Sequence, residues 1–328
     1  MTDFKLLENS DYIVDATRAI TKAKKRVLVL AMVIADHPAT HDFIEALLDA
    51  AKRGVKVSVA ADVFTYGEVN GSFLPLLYFN SGPRKANQMV KTMRRAGVRF
   101  QWLGRTRTTI FNGRTHTKWT IIDDTVYSFG GVNIYQDGVS SHSDYMLKIT
   151  DSNLAERMAL EHKRILDIDR GGRLYRSHQF DIDGDHVLID GGINGNSIIY
   201  RRACDLAASA KSIIFVSQYP PTGKLSKIFR KHHAKLYFNR PELASYLNRI
   251  VIKYGMKRSN LKSSYTRNRY IHAKFMIFTM PDGSKVALTG SHNFNYSGVA
   301  LGTREIALES RNPAVIEQLE GFFNRSIE

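Results

Sequence analysis

The sequence predicts an α/β fold in which two similar α/β/α halves with mixed sheets pack about a pseudo-two-fold axis and share one site. Helical patterns alternate with short runs of β-branched residues along the chain, as they do in layered α/β domains. One polar pattern also occurs twice: His and Lys stand two residues apart, Gly-x-x-Asn follows, and an acid comes about a dozen residues later. Two separated copies of one polar set indicate a duplicated half-domain.

The first half is predicted to span residues 1–168. It opens with an amphipathic helix and a buried strand, and Gly54 after the second helix is a typical C-terminal helix signal. The predicted elements are helix 12–24, strand 26–31, helix 43–53, strand 55–61, strand 98–103, a strand that carries His116 and Lys118, its hairpin partner 125–131, strand 143–149 and helix 151–166.

The second half is predicted to span residues 191–328, after a linker at 169–190 with a short hairpin at 180–188. We do not expect a floppy tether, because two halves that share a site need a fixed interface. The predicted elements of this half are helix 197–210, strand 212–217, strand 271–278 with His272 and Lys274, strand 304–308 and a closing helix 313–323.

The repeated residues suit an attack on a phosphodiester. Side chains alternate along a strand, so His and Lys two residues apart would share one face. One His can attack phosphorus while the other protonates the leaving oxygen, Lys and Asn can hold the phosphoryl oxygens, and an acid beside each His would fix its tautomer. The candidate catalytic residues are His116, Lys118, Asn133 and Asp144 in the first half, and His272, Lys274, Asn293 and Glu305 in the second.

Both copies resemble the signature of the phospholipase D superfamily, His-x-Lys-x4-Asp followed by Gly-Gly/Ser-x-Asn, and the resemblance covers nearly the whole chain. The layout and the segment 217–221 are most similar to bacterial cardiolipin synthase-like enzymes. The resemblance implies a covalent phosphohistidine, with His116 as nucleophile and His272 as general acid. It also implies structural roles for the remaining motif residues, Asp123, Gly130, Gly131, Gly290 and Ser291.

The second copy departs from the signature at one position. Thr279 stands where the motif has Asp, and a Pro-Asp-Gly turn lengthens the stretch before Gly290. We expect Asp282 in this turn to be exposed to solvent and not to replace the missing carboxylate. The departure leaves the catalytic set of the second half in place.

The charge of the chain indicates a polyanionic partner. Lys and Arg outnumber Asp and Glu by 47 to 31, a net charge of +16. The partner is therefore either an anionic phospholipid membrane surface or nucleic acid, and charge alone does not choose between them. No metal or other cofactor is expected, since no carboxylate cluster has ligand spacing and Lys already neutralises the phosphate.

The location predicted from the sequence is cytoplasmic and peripheral at the membrane. The single cysteine, Cys204, allows no internal disulfide and suits a reducing compartment. Residues 1–25 are polar, unlike a signal peptide, and the longest apolar run, 27–35, is too short to cross a bilayer.

Two segments allow two interpretations each. Residues 64–84 carry aromatic and leucine side chains among glycines, as an insertion packed on the core would, or an apolar loop that enters a membrane. Residues 253–269 are basic with interspersed tyrosines, which fits either a plain surface loop or a basic rim of the active site, where the rings could also stack on nucleic-acid bases.

These features favour a phospholipase D-type phosphatidyltransferase or phosphodiesterase that acts on anionic phospholipid. An alternative is a metal-independent endonuclease or phosphodiesterase on nucleic acid, because a shared fold does not decide the substrate. A second alternative is a weakly catalytic module that binds phosphate, which Thr279 would support. Hydrolysis and transfer are both compatible with the sequence.

Overall fold

Two mixed β-sheets form the centre of the computed structural model, which describes residues 3–63, 81–105, 113–232 and 234–328. The strands of the first half are Asp3–Glu8 (β1), Arg26–Ala31 (β2), Lys56–Asp62 (β3), Arg99–Leu103 (β4), Trp119–Ile122 (β5), Thr125–Ser128 (β6), His142–Ser143 (β7) and Tyr145–Thr150 (β8). Those of the second half are His178–Ile182 (β9), Asp185–Gly191 (β10), Ser212–Ser217 (β11), Ala234–Phe238 (β12), Tyr270–Ile271 (β13), Phe275–Thr279 (β14), Lys285–Gly290 (β15) and Arg304–Ser310 (β16).

Helices pack against both sheets, mostly on the outer faces but, at Ser152–Arg170 and Pro313–Ser326, in the core between the halves. In chain order they are Asn9–Lys22 (α1), His41–Lys52 (α2), Ser81–Arg95 (α3), Gln136–Ser140 (α4), Ser152–Arg170 (α5), Ile198–Ser209 (α6), Lys224–Phe229 (α7), Tyr246–Ser259 (α8), Tyr296–Leu301 (α9) and Pro313–Ser326 (α10). The long amphipathic helices α1, α2, α5, α6 and α10 were predicted within a few residues of these bounds. The helix α8 was not predicted.

Six strands in each sheet have the same topology, which confirms the predicted pair of similar α/β halves, while β4 and β9 extend opposite edges without a counterpart among the described residues. The first sheet has the order β1-β8-β6-β5-β2-β3-β4, and the second, read from the other edge, has the order β9-β10-β16-β15-β14-β11-β12. In both, a central strand pairs in parallel with the strand that follows it in sequence and antiparallel with the strand after the His-x-Lys pattern.

The hairpin predicted at 180–188 is present as β9 and β10, which pair antiparallel. Both strands belong to the second sheet, where β10 also pairs with β16. The hairpin therefore joins the second half through backbone hydrogen bonds. The division at residues 168 and 190 stays a prediction.

The halves meet through one continuous apolar core. It includes Leu30 and Trp119 from the first half and Phe275 and Ile306 from the second. Buried hydrogen bonds also cross between the halves: the Tyr145 hydroxyl bonds the Thr289 hydroxyl (2.5 Å), and Thr289 in turn donates to the carbonyl of Phe129 (2.7 Å). This is the fixed interface that a shared site requires.

Two further predictions concern residues 64–84 and the lack of a segment that could cross a bilayer. Most of the segment 64–84, for which a core insertion or an apolar loop was predicted, lies outside the described residues. Among the helices in the described ranges, none is both long enough and apolar enough to cross a bilayer.

Asp123 closes the turn between β5 and β6 and fixes the start of β2. Its carboxylate accepts hydrogen bonds from the backbone N–H groups of Lys24 (2.9 Å), Lys25 (2.8 Å) and Arg26 (3.0 Å). At the corresponding place in the second half, the N–H of Lys211 donates to the carbonyl of Thr279 (2.8 Å). A backbone carbonyl thus takes over part of what the missing carboxylate does in the first half.

Asp282 is exposed, as predicted, and does not replace that carboxylate. Its side chain accepts hydrogen bonds only within its own turn, from the N–H (2.9 Å) and hydroxyl (2.7 Å) of Ser284, as far as the described residues go. The second half therefore dispenses with a motif carboxylate while the six strands common to both sheets keep their order.

We predict that Asp123→Ala lowers the free energy of unfolding by about 2 kcal/mol, because three N–H groups lose a charged acceptor and Ala is unfavourable at a positive φ. The φ angle of Asp123 is +50°. Asp282→Ala is the matched control, with an expected loss below about 0.5 kcal/mol at an exposed turn. Urea unfolding of both variants measures the difference, and equal losses would contradict the structural role of Asp123.

Candidate active site

The two His-x-Lys segments lie immediately before strands, and not inside them as the alternation pattern predicted. β5 begins at Trp119 and β14 at Phe275, one residue after each lysine. The prediction was wrong because the N–H groups of these segments do not join a neighbouring strand of their own sheet. They donate to the opposite half of the molecule.

This exchange is reciprocal. The N–H of His116 and that of the next residue donate to the carbonyl of Arg304 (2.9 and 3.0 Å). The N–H of His272 and that of the next residue donate to the carbonyl of Ser143 (3.0 and 2.9 Å). Arg304 and Ser143 each directly precede a candidate acid, so the exchange sets each histidine beside the acid of the other half.

Each histidine is hydrogen-bonded to that acid. Nδ1 of His116 lies 3.0 Å from Oε2 of Glu305, and Nδ1 of His272 lies 2.6 Å from Oδ2 of Asp144. A carboxylate can only accept, so both rings carry a proton on Nδ1, and Nε2 is the nitrogen left for a substrate. The sequence predicted an acid beside each His, but not that the pairs would cross between the halves.

Both lysines are buried beside their histidines. Nζ of Lys118 donates to the carbonyl of His116 (2.6 Å), and Nζ of Lys274 donates to the carbonyl of His272. Burial lowers the pKa of Lys118 to about 8 and also lowers the pKa of Lys274. Two ammonium groups of this kind, held away from water, are suited to stabilise charge on a phosphoryl group.

The two His–acid pairs differ in their electrostatics. Burial raises the pKa of Asp144, although the charge of Lys274 opposes it. Burial alone would also raise the pKa of Glu305, but the charge and hydrogen bond of His116 outweigh it and lower that pKa to about 2. His272 has its pKa held well below the ordinary value by burial and then by Lys274, whose Nζ lies 3.0 Å from Nδ1.

Gly130 and Gly290 allow strands to approach closely behind the site. A Cβ at Gly130 would lie 1.8 Å from the carbonyl oxygen of Tyr145, and one at Gly290 would lie 2.1 Å from that of Ile306. Any side chain would therefore push apart the strands that carry the two acids. This contact explains why glycine opens both Gly-x-x-Asn patterns.

The next position in each pattern contacts an acid directly. The N–H of Gly131 donates to Oδ1 of Asp144 (3.1 Å), and a Cβ there would lie 2.6 Å from Oδ2 of the same carboxylate. Ser291 instead donates its hydroxyl to Oε2 of Glu305 (2.5 Å), while Thr303 donates to Oε1 (3.1 Å). Ser291 is thus a hydrogen-bond donor as well as a motif residue.

Both histidines and both asparagines line one cavity of about 940 Å³ between the halves. Oδ1 of Asn133 accepts a bond from the N–H of Val33 (3.4 Å). Oδ1 of Asn293 is buried and has no hydrogen-bond partner among the described residues. The structure therefore brings together all eight side chains that the sequence pattern singled out.

Two further residues of the site carry no sequence signal that we recognised. Asn9 accepts a bond from the N–H of Asp144 (3.1 Å) and donates to the carbonyl of Gly138 (2.8 Å), so it positions that acid from the start of α1. The ring of His142 stacks on that of His272, with centroids 5.4 Å apart and planes 24° apart. Neither residue belongs to the repeated pattern.

The family model described as cardiolipin synthase, PLD-like domain, matches residues 16–166 and 213–327. The chain therefore belongs to this family of the phospholipase D superfamily. Its two matched ranges correspond to the two halves, and each contains one His-x-Lys segment.

Individual relatives are more distant. Cardiolipin synthase B of Salmonella typhi is 26% identical over 187 residues, which cover 53% of this chain and 41% of the relative. The crystal structure of phosphatidylserine synthase from Haemophilus influenzae Rd KW20 has a TM-score of 0.72 at 15% identity and covers 99% of this chain and 87% of its own. Polyphosphate kinase from Porphyromonas gingivalis has a TM-score of 0.63 at 14% identity, and the match covers 97% of this chain and 49% of the kinase. At such identities these structures establish a common fold alone.

We predict that the stability contributed by Glu305 depends on pH. Its folded-state pKa of about 2 lies below the ordinary 4.5, so the contribution is complete above pH 4.5 and is lost as the pH falls through about 2. The free energy of unfolding of the wild type should therefore fall by about 2 kcal/mol relative to that of Glu305→Gln as the pH falls from about 5 to about 3. Urea unfolding at each pH measures this difference, with Glu317→Gln, an exposed position on α10, as control. A pH-independent difference would contradict the lowered pKa.

Proposed function

We propose that this protein transfers or hydrolyses a phosphodiester through a covalent phosphohistidine, and that its substrate is an anionic phospholipid. The observation that carries the proposal is the pair of crossed His–acid contacts that face one cavity beside two buried lysines. Membership of the cardiolipin synthase, PLD-like family supports phosphatidyl transfer. The matched relative is longer than this chain, which spans less than half of it.

The reaction would proceed in two displacements at phosphorus. In the first, the lone pair on Nε2 of one histidine forms a P–N bond, the P–O bond to the leaving group breaks, and the other histidine gives its Nε2 proton to that oxygen. In the second, water or an alcohol gives its proton back to this histidine and attacks phosphorus, and the P–N bond breaks. Lys118, Lys274, Asn133 and Asn293 would hold the non-bridging oxygens.

The surroundings of the histidines support an assignment opposite to the one that the family resemblance implies. The charge of Lys274, whose Nζ lies 3.0 Å from Nδ1 of His272, disfavours an imidazolium there, and because the Nδ1 proton is donated to Asp144, the neutral ring keeps its lone pair on Nε2. Burial lowers the pKa of His116 as well, but the charge of Glu305, to which His116 is hydrogen-bonded, opposes that shift and would stabilise an imidazolium. We therefore propose His272 as the nucleophile and His116 as the general acid.

The lining of the cavity supports a lipid substrate. Besides the polar residues, it carries apolar side chains that would contact acyl chains or a glycerol backbone: Met32, Val33, Leu243, Leu247, Ile250 and Val251. A protein that acts on such a substrate would attach to the membrane at its surface, since its acyl chains stay in the bilayer.

Nucleic acid is the second candidate substrate, and one observation favours it. Aromatic rings also line the cavity, namely Tyr135, Tyr219, Tyr246 and Tyr270, and bases stack on such rings in basic grooves. The net charge of +16 suits either substrate.

A paired assay tests the substrate. Purified protein is incubated with phosphatidylglycerol vesicles, or with single-stranded and duplex DNA, in buffer that contains a chelator. We expect the vesicles to yield cardiolipin or phosphatidic acid and the DNA to stay intact. The chelator should not inhibit the reaction, because the lysines take the role of a metal. His116→Ala should reduce turnover by about 100- to 10,000-fold, the usual loss of a general acid. DNA cleavage with unchanged lipid would reject the lipid substrate, and inactivation by chelator would reject the metal-free reaction.

The assignment of the histidines is tested with a labelled phosphodiester that carries a p-nitrophenyl leaving group, which departs without a proton. We expect His116→Ala to accumulate acid-labile label on the protein and His272→Ala to acquire none, because only the second variant lacks the nucleophile. The labelled histidine can be located by mass spectrometry. Labelling of His272→Ala but not of His116→Ala would restore the order usual in the family.

A further inference from the structure

The helix α8 stands at the mouth of the active-site cavity with a large apolar surface exposed. Tyr246, Ile250 and Tyr254 are 75%, 48% and 62% exposed, and Val251 is 42% exposed. Tyr246, Ile250 and Tyr254 follow a spacing of four residues, so they form a stripe about 12 Å long on one side of the helix. Tyr246, Ile250 and Val251 also line the cavity, so the stripe begins at the site and runs outward.

The helix is firmly attached in spite of this exposure. Its buried side consists of Ile252, Gly255 and Ser259. Gly255 packs so closely on Pro220 that a Cβ would lie 2.6 Å from the proline ring, and the hydroxyl of Tyr219 donates to Oδ1 of Asn248 (2.7 Å). The apolar stripe is therefore held in place by a narrow contact on the opposite side.

Positive charge surrounds the stripe. Between residues 243 and 270 the sequence has seven Lys and Arg and no Asp or Glu. Lys253 and Lys257 are exposed on the same side of α8 as the stripe, and Arg258 lies against the ring of Tyr254 (5.9 Å). Arg269, at the end of this region, lines the cavity, which favours the interpretation of this end of the region as a basic rim over that of a plain surface loop.

We propose that α8 docks the protein on an anionic phospholipid bilayer, with Tyr246, Ile250 and Tyr254 inserted at the level of the headgroups and Lys253 and Lys257 against lipid phosphates. An interfacial helix needs this combination of an apolar stripe and flanking cations. The docked helix would place the cavity mouth at the membrane, so that a phospholipid could reach His116 and His272 without leaving the bilayer completely. This inference rests on the proposed function for its substrate.

The observations favour a bilayer over nucleic acid as the occupant of this surface. Tyrosine rings and cations suit both, but Ile250 and Val251 gain nothing from stacked bases and would be transferred from water to lipid. The charge pattern also argues against a second copy of the same surface, because seven cations would face seven others.

Binding of the intact protein to vesicles tests the proposal. All proteins carry His272→Ala, which removes the proposed nucleophile so that lipid is neither consumed nor bound covalently, and are sedimented with phosphatidylglycerol vesicles or with neutral phosphatidylcholine vesicles. We expect Lys253→Gln/Lys257→Gln to weaken binding to the anionic vesicles by about 25-fold, since each lysine near such a surface is worth about five-fold. Ile250→Ser/Tyr254→Ser should weaken it by about tenfold or more.

Matched controls remove the same groups elsewhere. Leu160→Ser replaces a side chain that is 69% exposed on α5, and Lys22→Gln/Lys24→Gln removes two exposed charges beside the start of β2. Met32 and Val33, which follow the other end of β2, line the cavity. These lysines therefore lie near the end of the strand that is away from the cavity. Both controls should bind vesicles like the parent protein, and thermal unfolding verifies that every variant is folded.

The outcomes separate this inference from the proposed function. Unchanged vesicle binding by both α8 variants would overturn the docking surface, even if the active enzyme turns over phospholipid in detergent micelles. Weakened binding to a single-stranded oligonucleotide but not to vesicles would overturn it in favour of nucleic acid, and a change in oligomeric mass would do so in favour of self-association. Selective loss of vesicle binding would support it, even if no phospholipid is turned over.

Discussion

The candidate site depends on one reciprocal exchange of backbone hydrogen bonds between the halves. The carbonyl groups of Arg304 and Ser143 each receive two N–H groups from the opposite His-x-Lys segment. Because the residue after each carbonyl is the acid, this exchange fixes both the position and the partner of each histidine. Neither half contains a complete His–acid pair of its own, so the chemistry requires the interface to be intact.

The shared apolar core holds that interface in register. Trp119 and Phe275 begin the strands that follow the two segments, and both are buried in the same core. A shift of one half against the other would break four backbone hydrogen bonds. It would also change the surroundings of the two buried lysines. A close contact at Gly131 opposes such a shift, since a Cβ there would lie 2.8 Å from the carbonyl oxygen of His272 in the other half.

Backbone symmetry does not make the two half-sites chemically equal. Gly131 corresponds to Ser291 and His142 to Thr303, and while Ser291 and Thr303 both bond Glu305, His142 stacks on the ring of His272. Glu305 receives two hydroxyl donors, whereas Asp144 receives backbone N–H groups from Gly131 and Tyr145. These differences, one within the Gly-x-x-Asn pattern and one outside it, support the separate roles that we propose for the two histidines.

The sequence predicts the repeated fold and all eight polar side chains of the site, because strand patterns and a duplicated motif are local signals. It does not predict the crossed pairing, since the partner of His116 lies 189 positions away and depends on how the halves dock. It also placed the histidines inside strands, because alternation does not reveal that their N–H groups bond the other half.

Helix α8 was missed for a related physical reason. It buries only a narrow side, and its exposed apolar residues interrupt the amphipathic pattern from which a surface helix is recognised. A side chain such as Ile250, 48% exposed and placed beside a cavity, contributes less to the stability of the isolated fold than a fully buried one would. Its presence is understandable if folding and substrate capture depend on different residues. Substrate capture would then use a surface that the folded protein alone leaves exposed.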